Sequence, residues 1–482
     1  IYAPSNAAEL IKLQQSKGGS ATTEAGALLY LSNNGYYPAN TILDNIVTDG
    51  LKLNLTPNSA TSYPRSGTNI LDLSGEGNDG SLTNGISFDE DSRALIFDGV
   101  DDILFAGVGT DYPFKHHSWE VWFKSSTADF NGLGGLVGLD YGRYASLTTA
   151  GAISYQLYSN MSQPNVQLMS LSTTGVNLLD DRWHQVICSR GSVDGEIWVD
   201  GVKNNSTSNG GNPTWNGINQ WSTMASRFGD NPNNAGYKME GEMSSIRIYN
   251  KQLSSAEVLQ NYYQGPIVTD TLQWAIDASN LRSFNPGTTA AFTLINTSNA
   301  VNGDGVLTNG VAFSDVGNGA WDFDGVDDYI NFASLPSAMD PGTDGAFSFG
   351  GWIETSNESG FQKWIRLSNY YFYLNTGSTY IRIYYGGTPI DLSVTFNHGE
   401  WVHWFAVVDR PNNILRIYKN GAQVAINTSA TATGGMGTSV GMIGDTAGEQ
   451  LKGLVGPVHY YKKALTAAEV EQNYNANVKK FT

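Results

Sequence analysis

The sequence predicts an all-β protein built from two tandem β-sandwiches, each closed by one short helix. Three observations predict it. The hexapeptide Phe-Asp-Gly-Val-Asp-Asp occurs twice, at Phe97–Asp102 and at Phe323–Asp328, so the chain is built twice from one plan. That spacing is too long for a solenoid unit and suits a whole sandwich domain. Short runs rich in aromatic and β-branched residues fill both halves, including His117–Phe123, Val186–Cys188, Phe347–Ile353, Tyr380–Tyr385 and Trp404–Val408. Gly, Asn, Asp and Ser clusters separate these runs, the pattern of strands joined by turns. Finally, 55 Gly with only 15 Pro, and only 15% charged residues, fit a turn-rich β protein covered by amides and hydroxyls.

The elements can be taken in order. Residues 1–46 belong to neither half. Asn6 through Gln15 has the pattern of a short amphipathic helix, with Asn6 as cap and Leu10, Ile11 and Leu13 apolar; Lys17-Gly18-Gly19-Ser20 stops it. Such an arm either packs on the first sandwich or anchors the chain to a partner. The first domain is read as 47–265 and the second as 266–482. Arg182–Val186 corresponds to Glu400–Trp404, and each half then reaches a hairpin signal, Asp200-Gly201 or Asn420-Gly421. Gly241–Asn250 aligns with Gly453–Lys462 as a half-buried strand. Ser254-Ser255-Ala256-Glu257 and Thr466-Ala467-Ala468-Glu469 are then capping boxes, with helices expected over Val258–Tyr263 and Val470–Tyr474.

Composition excludes some functions. A net charge of −18 repels phosphate backbones, and no basic patch appears, so nucleic-acid binding is not expected. No run of 18 apolar residues occurs, and no charged-then-apolar leader, so membrane insertion is not expected. The single cysteine, Cys188, sits in an apolar strand and reads as a buried, inert thiol.

Several of these features resemble one family. Phe-Asp-Gly-Val-Asp-Asp-Tyr at 323–329, the Trp-containing strands at Trp119–Phe123 and Phe349–Trp352, the strand start Trp183-His184, and the endings Leu253–Val258 and Leu465–Val470 are similar to those of laminin-G-like, concanavalin A-like jelly rolls. The resemblance covers nearly all of both halves and implies two tandem jelly-roll sandwiches. This sandwich hosts lectins, adhesion modules, glycosidases and virion proteins alike, so the resemblance leaves function open.

Asp101 and Asp102, with Asp327 and Asp328, are dense enough for a calcium site, since that ion takes several oxygen ligands. The favoured reading is structural: Asp-Gly forms a hairpin turn and the following carboxylates face solvent on the next strand. No cofactor is otherwise expected. A retaining glycosidase needs two carboxyl groups about 5 Å apart. No Glu-x-Asp-x-Glu pattern occurs; Glu240-Gly241-Glu242 lacks a third acid, and Glu196 and Asp200 enter a hairpin. The six histidines are dispersed, with His184 and His403 expected to pack or hydrogen-bond beside strand tryptophans. Trp215 and Trp221 lie in a Gly-, Asn- and Ser-rich stretch suited to sugars, where a ring covers a pyranose face and amides bind hydroxyls; plugging the sandwich end is the equal alternative. In Tyr370-Tyr371 and Tyr384-Tyr385, strand alternation sends one ring of each pair to the core.

The expected function is therefore non-enzymatic: a structural or attachment protein of a virion, oligomeric, held to its assembly through residues 1–46 and able to bind cell-surface glycans. A secreted or cell-surface carbohydrate-binding adhesin is the alternative, and a glycoside hydrolase the second alternative.

Overall fold

Two-residue turns set the hairpins where the sequence places them. Asp200 and Gly201 hold φ of 48° and 75°, and Val199 pairs with Val202 across them. Asn420 and Gly421 hold 50° and 79°, and Lys419 pairs with Ala422. Positive φ at both central residues is what a tight, right-twisted hairpin demands. The turn side chains add a second tie: Asp200 Oδ1 accepts the Gln185 N–H and Asn420 Oδ1 the His403 N–H, each at 2.9 Å.

These details come from a computed structural model, which describes residues 46–481 except 60, 91, 107–115, 128–133, 141–142, 159–166, 193, 209–225, 229–237, 295–303, 315, 317–318, 357–359, 376, 378, 438 and 446–447. The predicted arm and its helix lie outside the described residues, apart from Ile46, which is buried against Tyr249 and Val258 of the first sandwich. The chain divides into two compact units, one ending at Tyr262 and the other beginning at Tyr263.

Each unit is a sandwich of two eight-stranded antiparallel sheets. In the first, Glu240–Tyr249 lies between His117–Lys124 and Ala94–Asp98 in one sheet; Arg143–Leu147, Ile153–Tyr158 and Gln167–Ser172 lie side by side in the other. In the second, Lys452–Tyr461 lies between Phe347–Thr355 and Ala320–Asp324. Its other sheet runs Ala290–Ala291, Gly305–Thr308, Tyr329–Phe332, Gly441–Gly444, Phe361–Leu367, Tyr370–Asn375, Tyr380–Tyr385 and Thr388–Ser393. Alternate side chains meet between the sheets, among them Phe97, Trp119 and Tyr155 in the first core, and Trp321, Trp364 and Phe372 in the second. Cys188 is buried in the first core, and burial pushes its thiol far above the usual range.

The closing helices, Ser255–Tyr263 and Ala467–Phe481, begin at the predicted capping boxes. Glu257 Oε2 accepts the Ser254 N–H at 2.9 Å, and Glu469 Oε2 the Thr466 N–H at 2.8 Å. Each covers the outer face of one sheet. Tyr262 stacks on Trp122, and Asn261 Oδ1 receives the Val47 N–H; Asn473 Oδ1 receives the Val268 N–H in the same way. The second helix runs well past the predicted Tyr474. Phe481 packs on Trp352 and Trp401, with ring centroids at 4.7 and 4.3 Å, so tertiary burial extends a segment whose own sequence is polar. Among the described residues, no helix is long and apolar enough to cross a membrane. In both units the sheet opposite the helix carries half-buried and exposed side chains on its outer face, among them Gln156 and Ser170 in the first and Tyr371 and Tyr384 in the second.

Candidate functional site

The repeated hexapeptide is not a hairpin. Ala94–Asp98 and Ile103–Ala106, the strands it joins, lie in different sheets, as do Ala320–Asp324 and Tyr329–Phe332. The turn crosses the sandwich edge, so no cross-strand bonds are available and carboxylates replace them. Asp98 Oδ1 accepts the Val100 N–H at 2.8 Å, and Asp102 Oδ2 accepts the Asp98 N–H at 2.9 Å. The second copy repeats this with Asp324, Val326 and Asp328 at 2.7 and 3.0 Å. Asp101 and Asp327 face solvent as expected, but Asp102 and Asp328 are only 2% and 3% exposed. The solvent-facing expectation is corrected at those two positions, because a crossing turn folds its last acid inward.

A second literal repeat closes over each acid turn. Leu-Thr-Asn-Gly stands at 82–85 and again at 307–310. Asn84 and Asn309, at φ of 64° and 65°, donate their side-chain N–H to the Asp101 and Asp327 carbonyls at 2.8 and 3.0 Å. Beneath them, Oδ1 of Asp102 and of Asp328 is buried without a hydrogen-bond partner. Burial first, and the charge of neighbouring aspartates after it, raises both carboxyls above the ordinary range. Asp98, Asp101 and Asp102 can bring ligand oxygens within 4.8 Å of one another, as can Asp324, Asp327 and Asp328. Hard oxygen donors in threes, one of them orphaned in each copy, have the chemistry of a calcium site.

The carboxylates considered for catalysis have other partners. Glu242 pairs with Lys124 at 2.6 Å. Glu196 binds Lys203 at 2.6 Å and accepts the Trp198 indole N–H at 2.9 Å. Asp200 belongs to the hairpin turn and holds His184 at 2.9 Å, whose other ring nitrogen meets Asp180 at 2.9 Å. Glu120, which the sequence did not single out, is fully buried. Its oxygens receive Arg247, Gln185 and Asn261 at 2.6, 2.8 and 2.7 Å. His117 lies 2.6 Å from the Tyr155 hydroxyl. Trp215 and Trp221 lie outside the described residues.

The sheet of the second unit opposite its helix carries an aromatic outer face. As alternation predicts, Tyr370 and Tyr385 are buried in the core, whereas Tyr371 and Tyr384 stand half-buried on the outer face. Cross-strand register then places residues from five strands in one row: Asn331 pairs with Met442, Met442 with Arg366, Arg366 with Tyr371, and Tyr371 with Tyr384. The Tyr371 and Tyr384 rings meet edge-on at 5.2 Å, and Tyr373 lies 5.8 Å from Tyr371. Phe361 and Tyr380 extend the aromatic surface, with Phe361 5.7 Å from both Tyr373 and Tyr380. Three cations lie among the rings. Arg382 is bidentate to Asp391 at 2.7 and 2.8 Å and sits 4.4 Å over Phe361. Lys363 contacts Asp445 and, at 2.9 Å, Glu449. Arg366 lies 5.6 Å over Tyr371 and has no carboxylate partner among the described residues.

The same face of the first unit differs in chemistry. Gln156 donates to Ser154 and Ser170 at 3.0 and 2.9 Å and accepts from Gln167 at 2.7 Å, a polar ladder that satisfies itself. The two copies thus share a fold and differ in what they present.

A profile of the concanavalin A-like lectin/glucanase superfamily matches residues 98–259 and 324–471, together well over half of the chain. The chain belongs to that superfamily. Each match opens on the first aspartate of an acid turn and closes within a helix, so this superfamily's sandwich is present twice. No curated protein sequence is significantly similar to the chain. Solved structures similar to the chain include the botulinum neurotoxin serotype D binding domain, at 10% identity and TM-score 0.37, covering 85% of this chain and 98% of that one. The serotype D ligand-binding domain in complex with N-acetylneuraminic acid is similar at 11% identity and TM-score 0.35, covering 86% and 98%. Domain 4 of the extracellular arabinanase AbnA from Geobacillus stearothermophilus, in complex with arabinotriose, gives 16% and 0.32, covering 44% and 98%.

Proposed function

We propose that this chain is a non-enzymatic attachment protein that binds glycans on the aromatic outer face of its second sandwich. The observation that carries the reading is the row Arg366, Tyr371, Tyr384 with its flanking rings. Half-buried tyrosines on a rigid sheet offer flat apolar faces to pyranose rings, while neighbouring polar groups meet the hydroxyls. Superfamily membership supports a lectin-like role, and the structural engagement of Glu120, Glu196 and Glu242 supports binding without turnover. The setting is the outside of a virion, as a decoration, fibre or tail-associated component, or of a cell, with residues 1–46 as the anchoring segment. Copurification with a particle would support the virion setting; a monomer indifferent to removal of 1–46 would count against it.

A glycan array tests the binding. The wild-type chain should retain at least one saccharide, and Tyr371→Ala with Tyr384→Ala should weaken it roughly thirtyfold, at about 1 kcal/mol for each ring. An empty array, or a double variant that binds normally, would remove this reading.

The orphaned Asp102 and Asp328 oxygens favour one addition: calcium held at each acid turn braces the sandwich edge. Melting curves should then rise with calcium and fall with a chelator, and Asp102→Asn with Asp328→Asn should abolish the rise. A wild-type curve indifferent to calcium removes the ion from the account.

A further inference from the structure

The face that carries the proposed glycan binding also holds two unpaired polar atoms in one row. Arg366 Nε and Asn331 Oδ1 are both buried and lack hydrogen-bond partners, and they flank Met442 across neighbouring strands. Both atoms are closed off from solvent, so a ligand on this face meets the outer end of the Arg366 guanidinium, which brings N–H donors and a full positive charge.

The other cations of this face do not share that state. Arg382 is neutralised by Asp391, and Lys363 by Asp445 and Glu449. Among the described residues Arg366 meets the Tyr371 ring and the Met442 sulfur, the latter 4.0 Å from one of its terminal nitrogens, and no carboxylate. In a chain of net charge −18, a half-buried guanidinium left without a carboxylate stands out chemically. In the first sandwich the register puts Gly138 at this position, pairing with Tyr144 as Arg366 pairs with Tyr371, and Arg227 at the position of Met442.

We infer that the ligand of this face is a saccharide carrying a carboxylate, with Arg366 gripping the carboxylate and Tyr371 and Tyr384 covering sugar rings. A guanidinium fork matches a carboxylate in two parallel hydrogen bonds, which a neutral sugar does not offer. The adjacent tyrosines favour a ring-bearing acid over an acidic peptide, whose carboxylates sit on flexible side chains with no ring beside them to cover a tyrosine face. This inference rests on the glycan-binding reading above and names its substrate class.

The test compares oligogalacturonate and sialyllactose with their neutral counterparts, carboxyl-reduced oligogalacturonate and lactose, by calorimetric titration of the full chain. At least one acidic ligand should bind tenfold or more tightly than its neutral partner. Arg366→Gln should erase that preference, bringing the acidic ligand down to the affinity of its neutral partner for the same variant, and Arg366→Lys should restore part of it. Melting curves matching wild type will show that both variants are folded. Equal affinity for acidic and neutral sugars, or an acid preference that survives Arg366→Gln, overturns this inference and leaves glycan binding standing. An acidic peptide that binds as tightly as the acidic sugars also overturns it. Failure of every saccharide to bind takes down both readings together.

Discussion

Replacing Glu120 by alanine should destabilise the first sandwich by about 3–5 kcal/mol, the usual cost of stranding one member of a buried ion pair. Arg247 is 3% exposed, and its guanidinium meets Glu120 at 2.6 Å. With the carboxylate gone, the arginine keeps a buried charge with no counter-ion, and Gln185 and Asn261 lose their acceptor. The pair itself contributes much less than this. Desolvating two charges offsets most of their attraction, so Glu120→Leu combined with Arg247→Met should recover most of the loss. Denaturant unfolding, followed by probes in each unit, reads both effects. A double variant as unstable as Glu120→Ala would show that the pair contributes net stability after all.

The second sandwich performed that replacement by itself, and its expected weakness is acid. Where Arg247 pairs with Glu120 in register, His459 pairs with Gly350; where Gln185 faces Trp122, His403 faces Trp352. The ion pair has become Gly350 and His459, and Gln185 has become His403; the two imidazoles, His403 and His459, are 1% and 4% exposed, each with an Nδ1 unpartnered among the described residues. Burial is the main cause that lowers His403 to about 3, helped by His459. Burial likewise lowers His459 to about 4, with Asp277 opposing and Lys480 adding to it. In the unfolded chain both titrate near 6.5. As pH falls below that value the unfolded state takes up protons first, so stability present at neutral pH is lost down to the folded-state values. Each histidine costs about 1.4 kcal/mol per pH unit, or about 4 kcal/mol for the pair at pH 5. Unfolding midpoints between pH 7.5 and 5 should fall steeply for the second unit, and His403→Phe should roughly halve the slope. A midpoint independent of pH would mean that the rings exchange protons with solvent in the native state.

Local chemistry in the sequence was enough for much of the fold. Asp200-Gly201, Asn420-Gly421 and the two capping boxes act over four residues, and each adopts the geometry its own atoms prefer. The acid turn was misread for the same reason. Asp-Gly chemistry suits a hairpin and a sheet-to-sheet crossing alike, and only the distant strand partners distinguish them. Two further literal repeats were legible and informative: Ile-Val-Thr-Asp at 46–49 and 267–270, which opens each unit, and Leu-Thr-Asn-Gly, which roofs each acid turn. The glycan face was half legible. Alternation predicts which tyrosine of each pair points outward, but the meeting of Arg366, Tyr371 and Tyr384 depends on the register of three strands. The Glu120 network depends on partners up to 141 residues away, and no local pattern encodes that.

Hydrogen exchange of the full chain, with and without a saccharide it retains, tests the central claim most directly. Slowed exchange should be confined to peptides covering 361–393 and 441–444. Protection in the first sandwich over 143–172, or in the tryptophan-bearing stretch 209–225, would place the ligand elsewhere and contradict the account.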